Sequence, residues 1–157
     1  MLPEVFFLKY AYPCSFIIKQ RGEIDEKEME ELRQAAIKSL PLPKEKLEKI
    51  FFRAFQKISP IAKRMKKDVW DIEVLREYFI NQHNNIIEKG MYAYAQAPQT
   101  LKNLCKVHKA KVIEKNEDAL IVEYGEGKIR PVLNELVPQA KVGDIVTIHY
   151  GYAVEKL

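Results

Sequence analysis

The spacing of apolar residues changes near Thr100, and this change limits the fold more than any other feature of the chain. Upstream they recur every three to four positions, as one face of a helix requires, and downstream they alternate, as a half-buried strand requires. From Asp25 onward, Met29, Leu32, Ala36 and Leu40 fall on one helical face. Asp25 and Glu28 have the spacing of a capping box, in which each side chain satisfies an otherwise unpaired backbone N–H. Pro41 and Pro43 end this helix, and Pro43 can open the next one, where its missing N–H costs nothing. Leu47, Ile50, Phe51, Ala54, Phe55 and Ile58 give the strongest helical pattern in the chain, kinked or interrupted at Pro60. A third helix is predicted from Asp71, with Leu75, Phe79 and Ile86 inward and Gly90 as its left-handed cap. Residues 91–103 read as a connection.

Beyond the connection, residues 109–114, 120–124, 128–133 and 144–150 read as short strands, with turn signals at 116–118, 125–127 and Gly143. Four or five strands at this spacing predict a closed or nearly closed barrel, because closure removes the unpaired edges of a small open sheet. The expected architecture is α+β: an all-α helical domain over residues 1–100, followed by a small OB-like β-barrel over residues 104–157.

Charge and cysteine usage narrow the function. The net charge of +4 is carried by residues 1–103, with 18 basic against 14 acidic side chains, while residues 104–157 hold 8 of each. So mild a surplus permits an anionic partner without requiring one. Two cysteines, Cys14 and Cys105, are too few for a disulfide framework, so reduced thiols are expected. Lys9 and Lys19 interrupt the apolar runs near the start, which leaves neither a signal peptide nor a membrane span and predicts a soluble, cytoplasmic protein. No Gly-rich phosphate loop, Ser-His-Asp order or paired-carboxylate motif is present, and an enzyme is not expected.

The closing stretch carries the most specific signal. It runs Leu136-Val137-Pro138, then Val142-Gly143-Asp144, then a strand ending His149-Tyr150-Gly151-Tyr152-Ala153. Over nearly every position it resembles the HypC/HupF family of nickel–iron hydrogenase maturation chaperones. The family's opening motif is matched in part, with Cys105, Lys111 and Val112 at the family spacing and Lys106, Val107 and Lys109 departing from it. The resemblance implies a chaperone or adaptor in metal-centre assembly, working through contacts with a hydrogenase large subunit or other maturation proteins. By position it implies Cys105 and His149 as the metal- or client-binding pair, with His108 and Lys111 as accessory residues. It implies no permanently bound cofactor, only transient iron as an Fe(CN)2CO unit, for which thiolate and imidazole are suitable donors. Cys105 differs from the family's cysteine in lying mid-chain, away from any free α-amino group.

Blander readings stand beside these. Cys105 is equally readable as a packed thiol, His108 as an exposed strand residue and His149 as a hydrogen-bonded histidine at the barrel rim. His83 reads as a flank residue of the third helix, and Cys14 as a buried, inert thiol. Cys14, Cys105, His108 and His149 add up to the four ligands of a zinc site. The basic cluster Lys63, Arg64, Lys66 and Lys67, with Tyr124, Tyr150 or Tyr152 on the barrel, suggests a nucleic-acid-binding module as an alternative, though an uncharged barrel argues against it. A purely structural interaction protein is the other alternative.

Overall fold

A computed structural model describes residues 1–91 and 96–157, which divide into two compact units, Met1–Asn85 and Ile86–Leu157. The first is helical and the second is built on a five-stranded sheet, so the chain is α+β.

At the centre of the first unit lies a helix absent from the sequence expectations, α1 (Pro3–Ala11). Val5, Phe6, Phe7, Leu8, Tyr10 and Ala11 are all buried, so the helix is apolar around almost its whole circumference. Such a helix has no polar face to reveal a period and belongs inside a core. A 3-10 turn (Tyr12–Cys14) leads into α2 (Ser15–Gln20). Next comes α3 (Glu26–Lys38), capped as predicted by Asp25, whose carboxylate accepts the Glu28 N–H at 2.8 Å. It ends at Ser39, which has a φ of 54°, and the turn leaves Leu40 exposed rather than on the inner face.

The strongest predicted helix is two, α4 (Lys44–Ile50) and α5 (Phe52–Met65), separated at Phe51. The chain breaks there and not at Pro60, which lies inside α5. Phe51 turns inward onto the Phe7 ring, centroid to centroid at 5.5 Å, and Phe55 does the same at 4.9 Å. Trp70 joins this aromatic core at 5.5 Å from Phe7, while its indole N–H donates to Glu48 at 2.6 Å. Burying the ring while satisfying its one polar atom is the usual arrangement for Trp.

The third predicted helix begins at its Asp71 cap as α6 (Ile72–Arg76), widens into a π-turn (Glu77–Gln82) and continues as α7 (His83–Glu88). The wide turn adds one residue, which rotates all later positions by about 100°. Ile87 is consequently the fully buried residue where 3.6-residue spacing selects Ile86. His83 is rotated inward by the same shift, is 3% exposed and lies 5.5 Å from the Tyr78 ring, so it is a core residue and not a flank residue. Gly90, with a φ of 61°, terminates the helix as expected. No helix among the described residues is long and apolar enough to cross a membrane.

In the second unit α8 (Gln99–Cys105) precedes five strands: β1 (Val107–Lys115), β2 (Ala119–Tyr124), β3 (Lys128–Leu133), β4 (Ile145–His149) and β5 (Tyr152–Lys156). They pair in the order β1-β2-β3-β5-β4, and the β1–β4 ladder makes this a closed barrel. Ala110, Val112, Leu120, Val122, Val132, Val146, Ile148 and Ala153 fill its interior, with Val137 and Ala140 from the β3–β4 connection. Gly151 lies between β4 and β5. With Tyr150 it forms the tight turn that folds β5 back antiparallel onto β4.

The two glycines of the closing motif should behave differently on substitution. Gly143 has a φ of 93° and donates its N–H to the Val112 carbonyl at 2.8 Å, whereas Gly151 lies outside the positive-φ region and has open space around its Cα. Gly143→Ala is expected to cost about 1–2 kcal/mol, the penalty of left-handed backbone for an L-residue. Gly151→Ala should be neutral or slightly stabilising, because it only restricts the unfolded chain. Urea midpoints of the two variants test the contrast, and equal effects would contradict it.

Candidate functional site

Pairing brings Cys105 and His149 to the same end of the closed sheet. Val107, two residues after Cys105, stands opposite His149 in the β1–β4 ladder, and the Tyr150 N–H donates to the Leu104 carbonyl at 3.0 Å. Cys105 is 1% exposed, and its thiol donates to the Tyr150 hydroxyl at 3.2 Å. Tyr150 has a φ of 55°, a left-handed conformation that is uncommon for a bulky residue. It is the connecting residue that sequence reasoning missed: its hydroxyl meets Cys105 while its ring lies 5.9 Å from the imidazole of His149. The aromatic position in the closing motif was the available signal. His149 itself is fully buried, and so is Thr147 two residues before it.

The accessory residues do not come together. His108 pairs with the core residue Ile148 and so faces the interior, whereas Lys111 lies three positions on, with the opposite strand parity, and is exposed. Lys106 forms an ion pair with Glu88. At the inner mouth of the sheet His108 meets Tyr124, ring to ring at 5.0 Å, and the Arg130 guanidinium lies over the same Tyr124 ring at 5.1 Å.

Among the described residues no three His, Cys, Asp or Glu side chains cluster as a metal site, so the four-ligand zinc arrangement is not assembled. In the basic cluster Arg64 pairs with Glu77 at 3.7 Å, and Lys67 pairs with Glu73 at 2.6 Å and Asp71 at 3.6 Å. Half of its cations are thus already matched by carboxylates.

Two measurements follow from this geometry. Cys14 is half-buried and Cys105 almost wholly enclosed. Alkylation of Cys105 in the folded protein requires local opening, so it should be at least about tenfold slower than alkylation of Cys14, with the difference lost in urea. Peptide mapping of iodoacetamide-treated protein gives both rates, and equal rates would contradict the enclosure.

His108 provides the pH-dependent case. Burial first, then the charges of Arg130, Lys106 and Lys128, hold its pKa below the ordinary 6.5. Below that pH the unfolded chain takes up a proton that the folded state resists, so stability falls as the solution is acidified. An NMR titration of the imidazole should show a midpoint under 6.5, and His108→Gln should flatten the loss of stability between about pH 7 and 5. A midpoint at or above 6.5 would contradict the burial.

Residues 107–157, the whole run from the first strand to the end of the chain, match the HupF/HypC family. Over those residues the C-terminal part is similar to the HupF/HypC family, and an additional helical region precedes it. The match supports a role related to hydrogenase maturation. It includes His149, His108 and Arg130, and it begins two residues after Cys105. No curated protein matches the chain.

Proposed function

We propose that this protein is a cytoplasmic, non-enzymatic chaperone or adaptor of hydrogenase maturation. In this reading its OB-like domain engages the hydrogenase large subunit or another maturation protein through the end that carries Cys105 and His149. The observation that carries the reading is the family match over residues 107–157, combined with the ladder that sets His149 beside the segment leading from Cys105. The iron unit Fe(CN)2CO is cargo in this scheme. Cys105 and His149 offer a soft sulfur and an imidazole nitrogen, donors suited to low-spin iron.

Cys105 in its enclosed position cannot meet a partner, so engagement requires the segment after α8 to open and break the thiol–Tyr150 hydrogen bond. That bond contributes about 1 kcal/mol, one part of the cost of opening that binding to a client has to offset. The additional helical unit supplies a second docking surface.

The test is co-purification with the large subunit from cells making both proteins. A stable complex should form, and Cys105→Ala should weaken it by about tenfold or more, the loss of one good ligand or contact. An unchanged complex would remove Cys105 from the mechanism. The burial of Cys105 favours a second reading, a purely structural interaction domain that handles no iron. Infrared bands of cyanide and carbon monoxide in the purified complex separate the two, since only the chaperone reading produces them, and Cys105→Ala should abolish them.

A further inference from the structure

The HupF/HypC reading makes no use of Arg130. It pairs with Val122 across the β2–β3 ladder and so points into the sheet, on the same face as Leu120 and Val132. Its Nε and Nη2 are shut away from water and meet no acceptor among the described residues. Those two nitrogens form one edge of the guanidinium, the edge whose parallel N–H bonds fit the two oxygens of a carboxylate. A desolvated cation with an empty two-donor edge is an unfavourable arrangement unless an anion completes it.

The surroundings select the anion. Tyr124 lies beneath the guanidinium and His108 beside Tyr124, and neither carries a charge to oppose Arg130. Burial and its cationic neighbours hold the His108 pKa down, which disfavours a second positive charge beside Arg130. The nearest other cation on this strand, Lys128, is exposed, and Lys106 is already paired with Glu88. One uncompensated charge and one planar fork match a monovalent carboxylate better than a phosphate dianion. Arg130 as a whole is only partly buried, so a small side-chain adjustment over Tyr124 brings the edge to an incoming group.

We propose that Arg130, supported by Tyr124 and His108, is a carboxylate-binding site at the end of the closed sheet that also carries Cys105. The site does not require that Cys105 handle iron, and it is tested without iron or a hydrogenase. The probes are sodium acetate and a glutamate blocked at both ends, titrated at constant ionic strength into the isotope-labelled full chain with chloride as the control. The Arg130 Nε–H signal and the ring signals of Tyr124 and His108 should shift saturably with acetate and not with chloride. Arg130→Lys lacks the two-donor edge and should weaken acetate binding, read at the Tyr124 and His108 rings, by about tenfold. Blocked glutamate binding as well as acetate assigns the site to an acidic side chain of a partner protein, and binding of acetate alone assigns it to a free small carboxylate. Equal, non-saturating shifts in acetate and chloride would overturn the proposal. So would undiminished acetate binding in Arg130→Lys, or tighter binding of inorganic phosphate than of acetate. The wild-type titration decides the matter even if the variant folds poorly.

Discussion

Phe7→Ala should destabilise the first unit by about 3–5 kcal/mol, the range for truncating a fully buried phenylalanine. The Phe7 ring is 0% exposed and lies within 5.8 Å, centroid to centroid, of Phe51, Phe55, Trp70 and Phe79. These four rings reach it from the α4–α5 break, α5, the π-turn and the loop before Asp71, so no single movement can close the space it leaves. Rigid aromatic neighbours also adapt less than aliphatic ones, which places the cost in the upper part of that range. Trp70 is the only tryptophan and stands at the edge of the vacated space, so denaturant unfolding followed by its fluorescence reads this unit directly. Phe16→Ala is the control, since that ring is 47% exposed and should lose far less. A Phe7→Ala loss no larger than the Phe16→Ala loss would show that α1 is not the centre of the core.

Leu120→Ala should cost about 2–5 kcal/mol in the second unit. Leu120 is fully buried, pairs with Lys115 on one side and Val132 on the other, and belongs to the small group of side chains that fills the sheet. A closed ladder resists local collapse because moving one strand inward breaks hydrogen bonds on both of its neighbours. Amide hydrogen exchange of β1, β2 and β3 should accelerate together, because the three strands share the same interior. Ile129→Ala, at a position 58% exposed, should leave exchange nearly unchanged. Acceleration confined to β2 would argue against a shared core. The functional consequence reaches the candidate site, because β1 and β2 carry His108 and Tyr124 and β3 carries Arg130.

Much of the fold was legible in the sequence where chemistry acts over a few residues. Asp25 and Asp71 announce helix starts through the N–H groups they cap, and Gly90 announces an end through its positive φ. The strand segments are legible because alternation and turn glycines are local signals. The closing motif is legible for the same reason, and it pointed to the family that residues 107–157 match. Two segments escaped the period argument. In α1 nearly every residue is apolar, so no phase can be read, and β5 was hidden because Tyr150-Gly151 turns the chain straight back onto β4.

The tertiary structure alone decided which way side chains point. Alternation in β3 would put Ile129, Pro131 and Leu133 inside, yet all three are exposed, while Arg130 points inward with Val132. The turn at Gly125 to Gly127 fixes Tyr124 opposite Lys128, and that register overrides the apolarity of the strand because a slip of one residue would turn every side chain to the other face. The extra residue of the π-turn likewise moves His83 and Ile87 inward, through hydrogen bonding that no residue type announces. By itself the sequence determined the α+β class, the helix caps and the residues worth inspecting, all consequences of short-range backbone chemistry. Only the closed ladder decided that Cys105 ends up beside Tyr150 and Arg130 inside the sheet, because pairing between strands distant along the chain sets the partners of every side chain they carry.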